Sequence, residues 1–266
     1  MDTRTTLPKD TLLLDVGGTF IKCSDGRSVP VDSNGTQEEV IAAFRQAVWD
    51  GEREYSQLRV AIPGPFRYAN GQFLMKHKFA SVYGECFPQL VGLPPENCRF
   101  VQDVNCMLLG ALAPGSGNTA LVALGTGLGI AIYADGQVLE NELGGPRVII
   151  YNLPYGSGIL EDYVSKRGII GRYGDPSLTV KEIAHRADAG DAKARQVFEE
   201  TGSILGRVIR PILQEYKVQT LLLGGQISRS SHLFAPALKA CLPPEISVGP
   251  IADFDNATFN GLLALK

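Results

Sequence analysis

Two short strings carry the residue types that phosphate and metal chemistry requires. The first, Asp15-Val16-Gly17-Gly18-Thr19, follows Leu12-Leu13-Leu14 and runs straight into Phe20-Ile21. An apolar run, a Gly-Gly turn and a second apolar run predict a β-hairpin whose tip is bare backbone. Glycines at such a tip permit a positive φ and let an anion reach the main-chain N–H groups. Thr19 adds a hydroxyl donor, and Asp15 a hard oxygen able to hold a hydrated Mg2+. Taken alone, the segment reads equally well as an ordinary tight turn. The second string, Gly125-Thr126-Gly127-Leu128-Gly129, sits between the apolar runs 119–124 and 130–133 and repeats the design, so the chain holds the same loop once in each half. Two such tips would grip a polyphosphate from both sides. Neither is a Walker loop, since no Gly-x-x-x-x-Gly-Lys-Ser/Thr string is present, and neither is a dinucleotide fingerprint, since a strand and not a helix follows the glycines.

Other chemistry-bearing residues fall at predicted strand ends, where open α/β sheets bind ligands. Gly64, in Pro63-Gly64-Pro65, closes the strand 58–62. Asp103 follows the strand 99–102 and opens a helix predicted from Cys106 to Leu112, so it serves as an N-cap or faces a cleft. Gly224-Gly225 ends the strand 218–223 and would let a flat ring lie against the backbone. Glu142 and Glu161 are isolated carboxylates of the kind normally left in solvent.

These residues need a scaffold. A short strand is expected around Val29-Pro30-Val31, and capping boxes at Thr36-Gln37-Glu38-Glu39 and Thr179-Val180-Lys181-Glu182 predict helices, the first running through Trp49. Residues 67–95, rich in aromatics, Gly and Pro, read as a long irregular connection of the kind that forms substrate loops. A long helical pattern covers 191–214, and its Gly202 and Gly206 each cost about 1 kcal/mol relative to alanine, which predicts a closely packed partner. A helix over 233–241, a strand over 245–248 and a helix over 257–266 close the chain. The Pro/Gly/Ser-rich segment 113–118 divides it into an N-terminal lobe, 1–112, and a C-terminal lobe, 113–266, whose final helix packs back towards the first.

With 266 residues, 44% of them hydrophobic and 20% charged, the chain suits a soluble globular protein. Its 25 basic and 28 acidic residues form no basic cluster, which argues against nucleic acid or an anionic membrane as partner. A polar start and the absence of a long apolar run predict neither signal peptide nor membrane span. Five scattered cysteines without a Cys-x-x-Cys pair fit a reducing cytoplasm, and three scattered histidines do not suggest a metal cluster.

Taken in order, five strings resemble the sugar kinase, hexokinase and actin ATPase superfamily, and within it the ROK family of bacterial sugar kinases and related proteins. Asp15 to Thr19 resembles the first phosphate motif, and Val60-Ala61-Ile62-Pro63-Gly64-Pro65 the loop that shapes the sugar pocket. Asp103-Val104-Asn105 resembles the segment carrying the catalytic base. Gly125 to Gly129 resembles the second phosphate motif, and Leu223-Gly224-Gly225 the adenosine motif. The resemblance implies a two-lobed actin-like ATPase (ribonuclease H-like) α/β fold with a nucleotide and substrate cleft between lobes. It further implies an ATP-dependent kinase in which Asp103 takes a proton from a sugar hydroxyl, with ATP and Mg2+ as cofactors. The nucleotide would be held by Asp15, Gly17, Gly18, Thr19, Gly125, Thr126, Gly127, Gly224 and Gly225, and the Mg2+ through water on Asp15. The sugar would meet Gly64, Gln102, Glu142 and Glu161.

Departures from the family pattern are concentrated around the sugar. Gly145 stands where the family has a histidine, residues 154–161 hold no cysteine, and Ile159 takes the last ligand position, so no zinc site is expected. Gln102 replaces an asparagine, while the two sugar-binding glutamates are kept. Expected partners are therefore a small-molecule sugar, neither nucleic acid nor membrane, and conceivably a second copy in a homodimer. Two alternatives stand beside the kinase. One is a non-catalytic sugar or nucleotide sensor, disfavoured as a repressor because ten polar residues before the first strand leave no room for a helix-turn-helix. The other is a related kinase with a non-sugar substrate or a polyphosphate donor.

Overall fold

The computed structural model describes residues 10–49, 51 and 55–265. The polar start of the chain and Lys266, the last residue of the predicted final helix, lie outside them. Contacts divide the chain into two compact units, one formed by Met1–Ala111, Glu140–Pro146 and Asp255–Lys266, the other by Leu112–Leu139 and Arg147–Phe254.

The first unit is built on the predicted hairpin, β1 (Thr11–Val16) and β2 (Phe20–Cys23), paired antiparallel with Asp15 opposite Lys22. β3 (Ser28–Pro30) extends it, and α1 (Gln37–Val48) follows the Thr36–Glu39 capping box, with Trp49 as C-cap. β4 (Gln57–Ile62) pairs parallel with β1. The segment expected as an irregular substrate loop instead forms β5 (Phe66–Arg67), β6 (Gln72–Phe73), a 3-10 turn at Ala80–Val82 and α2 (Phe87–Val91). Its aromatics explain the difference. Phe66, Phe73, Phe79 and Phe87 are fully buried with Phe44 of α1, whose ring lies 4.9 Å from that of Phe87 and 5.5 Å from that of Phe79. Each such burial contributes about 1.5–3 kcal/mol, so the segment is core and not a free loop. β7 (Cys98–Gln102) and α3 (Asp103–Ala111) complete this stretch, the helix starting at Asp103 and not at Cys106. The sheet order is β3-β2-β1-β4-β7.

The second unit repeats that order. β8 (Thr119–Leu124) and β9 (Leu128–Ala134) form its hairpin, and β10 (Gln137–Val138) its edge. A two-stranded ribbon, β11 (Pro154–Tyr155) and β12 (Gly158–Ile159), leads into α4 (Glu161–Val164), α5 (Lys166–Tyr173), α6 (Val180–Asp188) and α7 (Ala192–Glu215). β13 (Thr220–Gly224), a 3-10 stretch at Gln226–Leu233, α8 (Ala235–Ala240) and β14 (Ser247–Pro250) follow. The sheet order is β10-β9-β8-β13-β14, with the two hairpin pairs antiparallel and the two crossovers parallel, as in the first unit. The packing partner required by the α7 glycines is α8. A Cβ at Gly202 would lie 2.1 Å from the Phe234 carbonyl oxygen, and one at Gly206 2.7 Å from that of Leu238.

The chain closes with α9 (Ala257–Ala264), which belongs to the first unit and packs along α3. A single cut after residue 112 thus does not describe the division. The turn 140–146 groups with the first unit, where the Tyr68 N–H donates to the Leu143 carbonyl at 2.9 Å. Among the described residues no helix is long and apolar enough to cross a membrane.

Candidate functional site

In the first unit the glycine hairpin owes its shape to space, not to positive φ, which neither Gly17 nor Gly18 adopts. Gly17 N–H donates to Phe20 O at 2.9 Å, and a Cβ at Gly17 would stand 3.0 Å from that same oxygen. A Cβ at Gly18 would meet Ser33 Oγ at 3.2 Å and Lys78 Cδ at 3.9 Å. Thr19 is exposed, and its carbonyl accepts from Val31 N–H at 2.9 Å. Asp15, at the end of β1, is largely buried. Burial lifts its carboxyl to about 6, opposed by the Lys22 ammonium and reinforced by the Asp103 carboxylate.

Asp103 opens α3 at the end of β7, so a strand and a helix fix it together. Its carboxyl is raised by burial, while the Val104 N–H, the Lys78 ammonium and the Gln102 amide favour the ionised form. Gln102 shares the capping expected of Asp103, whose Oδ1 also accepts from Val104 N–H at 2.9 Å. Gln102 Oε1 accepts from Val104 N–H at 2.8 Å and Asn105 N–H at 2.9 Å, and its Nε2 donates to Asp103 Oδ1. The Asp103 charge thus reaches Asp15, whose buried carboxyl is a hard oxygen of the kind that holds a hydrated Mg2+. Among the described residues no group of three His, Cys, Asp or Glu side chains converges as a metal cluster.

Gly64 lies beside Tyr68. A Cβ there would stand 3.1 Å from Tyr68 Oη, which donates to Ile62 O at 3.0 Å. The same tyrosine receives the turn bearing Glu142, since a Cβ at Gly144 would lie 2.9 Å from Tyr68 Cβ. Asn141 holds that turn, its Oδ1 accepting from Leu143 and Gly145 N–H at 2.9 and 3.1 Å. Glu142 itself is exposed.

In the second unit the hairpin tip is braced from α4 and α5. Glu161 Oε2 accepts from Leu128 N–H at 2.8 Å, and its Oε1 pairs with Arg167 at 3.0 Å. Lys166 N–H donates to Gly125 O at 2.9 Å. A Cβ at Gly127 would meet Glu161 Oε2 at 3.0 Å, whereas one at Gly125 would meet nothing. Thr126 is exposed. At Gly225, φ is 79° and a Cβ would fall 2.3 Å from Leu124 O, so glycine is demanded there by the end of β8. Gly224 O accepts from Ser228 Oγ at 2.6 Å.

The structure thus gathers Asp15, Gly17, Gly18, Thr19, Gly64, Gln102, Asp103 and Glu142 in one unit and Gly125, Thr126, Gly127, Glu161, Gly224 and Gly225 in the other. Lys78, Tyr68 and Asn141 were not singled out from the sequence. Lys78 lies in Met75-Lys76-His77-Lys78, where nothing in composition or spacing separates it from its neighbours.

Residues 154–252 match the family model described as ROK family. Among related proteins, a glucokinase from Halalkalibacterium halodurans is 28% identical over 168 residues, covering 52% of this chain and 51% of that protein. An N-acetylmannosamine kinase from Shigella boydii is 23% identical over 249 residues, covering 85% and 86%. The DNA-binding transcriptional dual regulator NagC from Escherichia coli is 29% identical over 77 residues, covering 29% and 19%. The chain therefore spans about half of the first of these relatives and about a fifth of the regulator. The fold is that of a ROK family glucokinase from Streptomyces griseus, solved with glucose and AMPPNP, at a TM-score of 0.74 and 19% identity, covering 95% of this chain and 97% of that one. The expected actin-like ATPase α/β fold class is the one the chain shares with that structure.

Proposed function

We propose that this protein is an ATP-dependent sugar kinase of the ROK type that phosphorylates a sugar hydroxyl, with Asp103 as general base. The observation that carries the reading is the pairing of Asp103 with Asp15 beside the first glycine hairpin, two largely buried carboxylates of raised pKa, the charge of Asp103 adding to the rise at Asp15. A raised carboxyl is a better proton acceptor near neutral pH than an ordinary one. Gln102 keeps Asp103 in place by donating to Oδ1, which leaves Oδ2 for the substrate hydroxyl. An ion held by Asp15 supplies charge neutralisation for the phosphate oxygens.

The hairpin backbones hold phosphates in this reading. Gly17, Gly18 and Thr19 serve one unit, Gly125, Thr126 and Gly127 the other, and Gly224-Gly225 receives the adenosine. Gly64 and the exposed Glu142, both carried by Tyr68, face the sugar, and the kinases named above make a hexose or N-acetylhexosamine the acceptor class to test first.

ADP release is to be measured with ATP and Mg2+ against a panel of hexoses and N-acetylhexosamines, wild type beside Asp103→Asn. Removal of a general base typically lowers turnover by about 10²–10⁴. Sugar-dependent ADP release no higher in wild type than in the variant would end the kinase reading. Substituting inorganic polyphosphate for ATP in the same assay identifies the donor.

A further inference from the structure

We infer that Lys78 is the phosphate-binding cation of the first glycine hairpin, an ammonium group shared by the hairpin tip and Asp103. Three observations converge on it. Its side chain passes Gly18 so closely that a Cβ there would stand 3.9 Å from Lys78 Cδ. Its charge acts on the Asp103 carboxylate. And among the described residues no carboxylate forms an ion pair with it, although it is half-buried. An ammonium drawn partly out of bulk water, with a carboxylate near but not ion-paired to it, gains from a ligand that supplies a further anion. Lys76, two residues earlier, is exposed and lies over the Tyr83 ring, 5.5 Å from its centroid, and so is directed elsewhere.

The backbone holds Lys78 there at a cost. The next residue, Phe79, has φ 51° and ψ 28°, a left-handed conformation that a bulky side chain rarely adopts. Such strain costs on the order of 1–3 kcal/mol and persists only where the surroundings over-determine it. Here they do. The Phe79 ring is fully buried against Phe44 and Phe73, and its N–H donates to Ser33 O at 2.6 Å. Ser33 N–H in turn donates to Gly18 O at 3.1 Å. The hairpin tip, Ser33 and Phe79 are therefore one hydrogen-bonded relay, and Lys78 is positioned by the same bonds that position Gly18. Given the proposed reaction, the group it meets is the transferred phosphoryl group on its way from donor to hydroxyl; given anion binding alone, it is a polyphosphate tail.

The inference rests on the phosphotransferase reading only for what the anion does, and the test separates the two. Tripolyphosphate binding is measured by calorimetry, and turnover with ATP and the accepted sugar by ADP release, for wild type, Lys78→Met, Lys78→Gln, Lys78→Arg and the control Lys76→Met, after thermal unfolding has shown which of them fold. The neutral variants should bind tripolyphosphate at least tenfold more weakly and turn over about 10² more slowly. The arginine variant should recover part of both, and Lys76→Met should match wild type. The acid limb of the pH–rate profile should also move upward in the neutral variants. Lys78 is the charged group that favours the ionised form of Asp103, so its loss raises the pKa of the base. Weakened tripolyphosphate binding in a protein that turns over no sugar would sustain Lys78 and sink the kinase. An active enzyme whose neutral variants stay within twofold of wild type would do the reverse. Wild type that binds no tripolyphosphate would overturn the inference.

Discussion

Gly261→Ala sets two physical effects against each other with opposite signs. Replacing a glycine inside a helix by alanine favours the helix by about 1 kcal/mol. At Gly261 of α9, however, the new Cβ would stand 1.9 Å from the Cys106 carbonyl oxygen and 2.8 Å from Cys106 Sγ of α3. An ordinary carbon–oxygen contact needs about 3.3 Å, so the helices must part by about 1.4 Å. The obstacle is backbone, which has no rotamer to escape into. Nor is α9 free to retreat, because Arg59 Nη1 holds its C-terminal carbonyls at Leu262 and Leu265 at 2.8 and 2.6 Å. Overpacking of this kind costs about 1–3 kcal/mol, and a rigid backbone obstacle places it at the upper end. The net expectation is destabilisation by about 2 kcal/mol, a urea midpoint lower by about 1 M. Because α3 starts at Asp103, the displacement is also expected to misplace the proposed base, and 1 Å of misplacement costs on the order of 10² in rate. Urea unfolding and turnover measured on the same preparation decide the matter. A variant as stable as wild type, or more so, would show that propensity outweighs the contact and refute the reasoning.

The remaining expectations concern the carboxylates and the hairpin braces. Asp15→Asn should stabilise the protein at pH 8 by up to about 3 kcal/mol, from 1.36 kcal/mol per pH unit over the rise from 3.8 to about 6. The sign follows from linkage: the folded state holds the Asp15 proton more tightly than the unfolded one, so stability is lost as pH rises from about 4 to 6. The gain should therefore vanish at pH 4 in urea titrations, and a pH-independent gain would contradict it. Activity should fall as pH drops through a value above the ordinary aspartate range, since Asp103 must be ionised to accept a proton and burial raises its pKa; a limb at the ordinary value would argue against it as base. Glu161→Ala should cost about 1–3 kcal/mol by leaving Leu128 N–H unpaired, and Glu161→Gln should raise the KM for ATP more than that for sugar; the opposite order would restore Glu161 as a sugar ligand.

Much of the fold was legible because its signals are local. Leu12-Leu13-Leu14 and the Gly17-Gly18 turn specify a hairpin through burial and backbone freedom, and Thr36 with Glu39 specifies a helix start through two reciprocal hydrogen bonds, present at 2.8 and 3.3 Å. What escaped was set at a distance. The aromatics of residues 66–87 look like a loop until Phe44 supplies the surface they bury against. The turn 140–146 meets Tyr68 of the first unit, about seventy positions away, and no periodicity announces such a contact. The candidate site divides the same way. Asp15, Gly17, Gly18 and Asp103 stand at strand ends that the pattern itself marks. Lys78 becomes distinct from Lys76 only when the Phe79 backbone turns left-handed and Ser33 reaches Gly18.

The repeated sheet order shows how one hairpin design came to carry two chemistries. Both hairpins end in bare backbone, yet β1 places Asp15 where β8 places Ala123, a side chain with no polar atom. The second hairpin takes its carboxylate from Glu161, and that carboxylate faces inward: one oxygen is spent on Leu128 N–H and the other on Arg167. A carboxylate so occupied orders the loop and has little left for a ligand. Asp15 has no such anchoring and is instead held at raised pKa beside Asp103, which makes it responsive to a cation. Under the proposed function, acid–base and metal chemistry therefore belong to the first hairpin, while the second contributes backbone donors fixed in place. Acceptor identity then falls to the 140–146 turn, where Asn141 closes the backbone around Gly145 and a Cβ would already stand 3.2 Å from Asn141 Nδ2. Any larger side chain at Gly145 must displace that asparagine, so restoring a histidine there alone should destabilise the turn before it alters sugar choice, and only a paired change at Asn141 and Gly145 should shift the substrate.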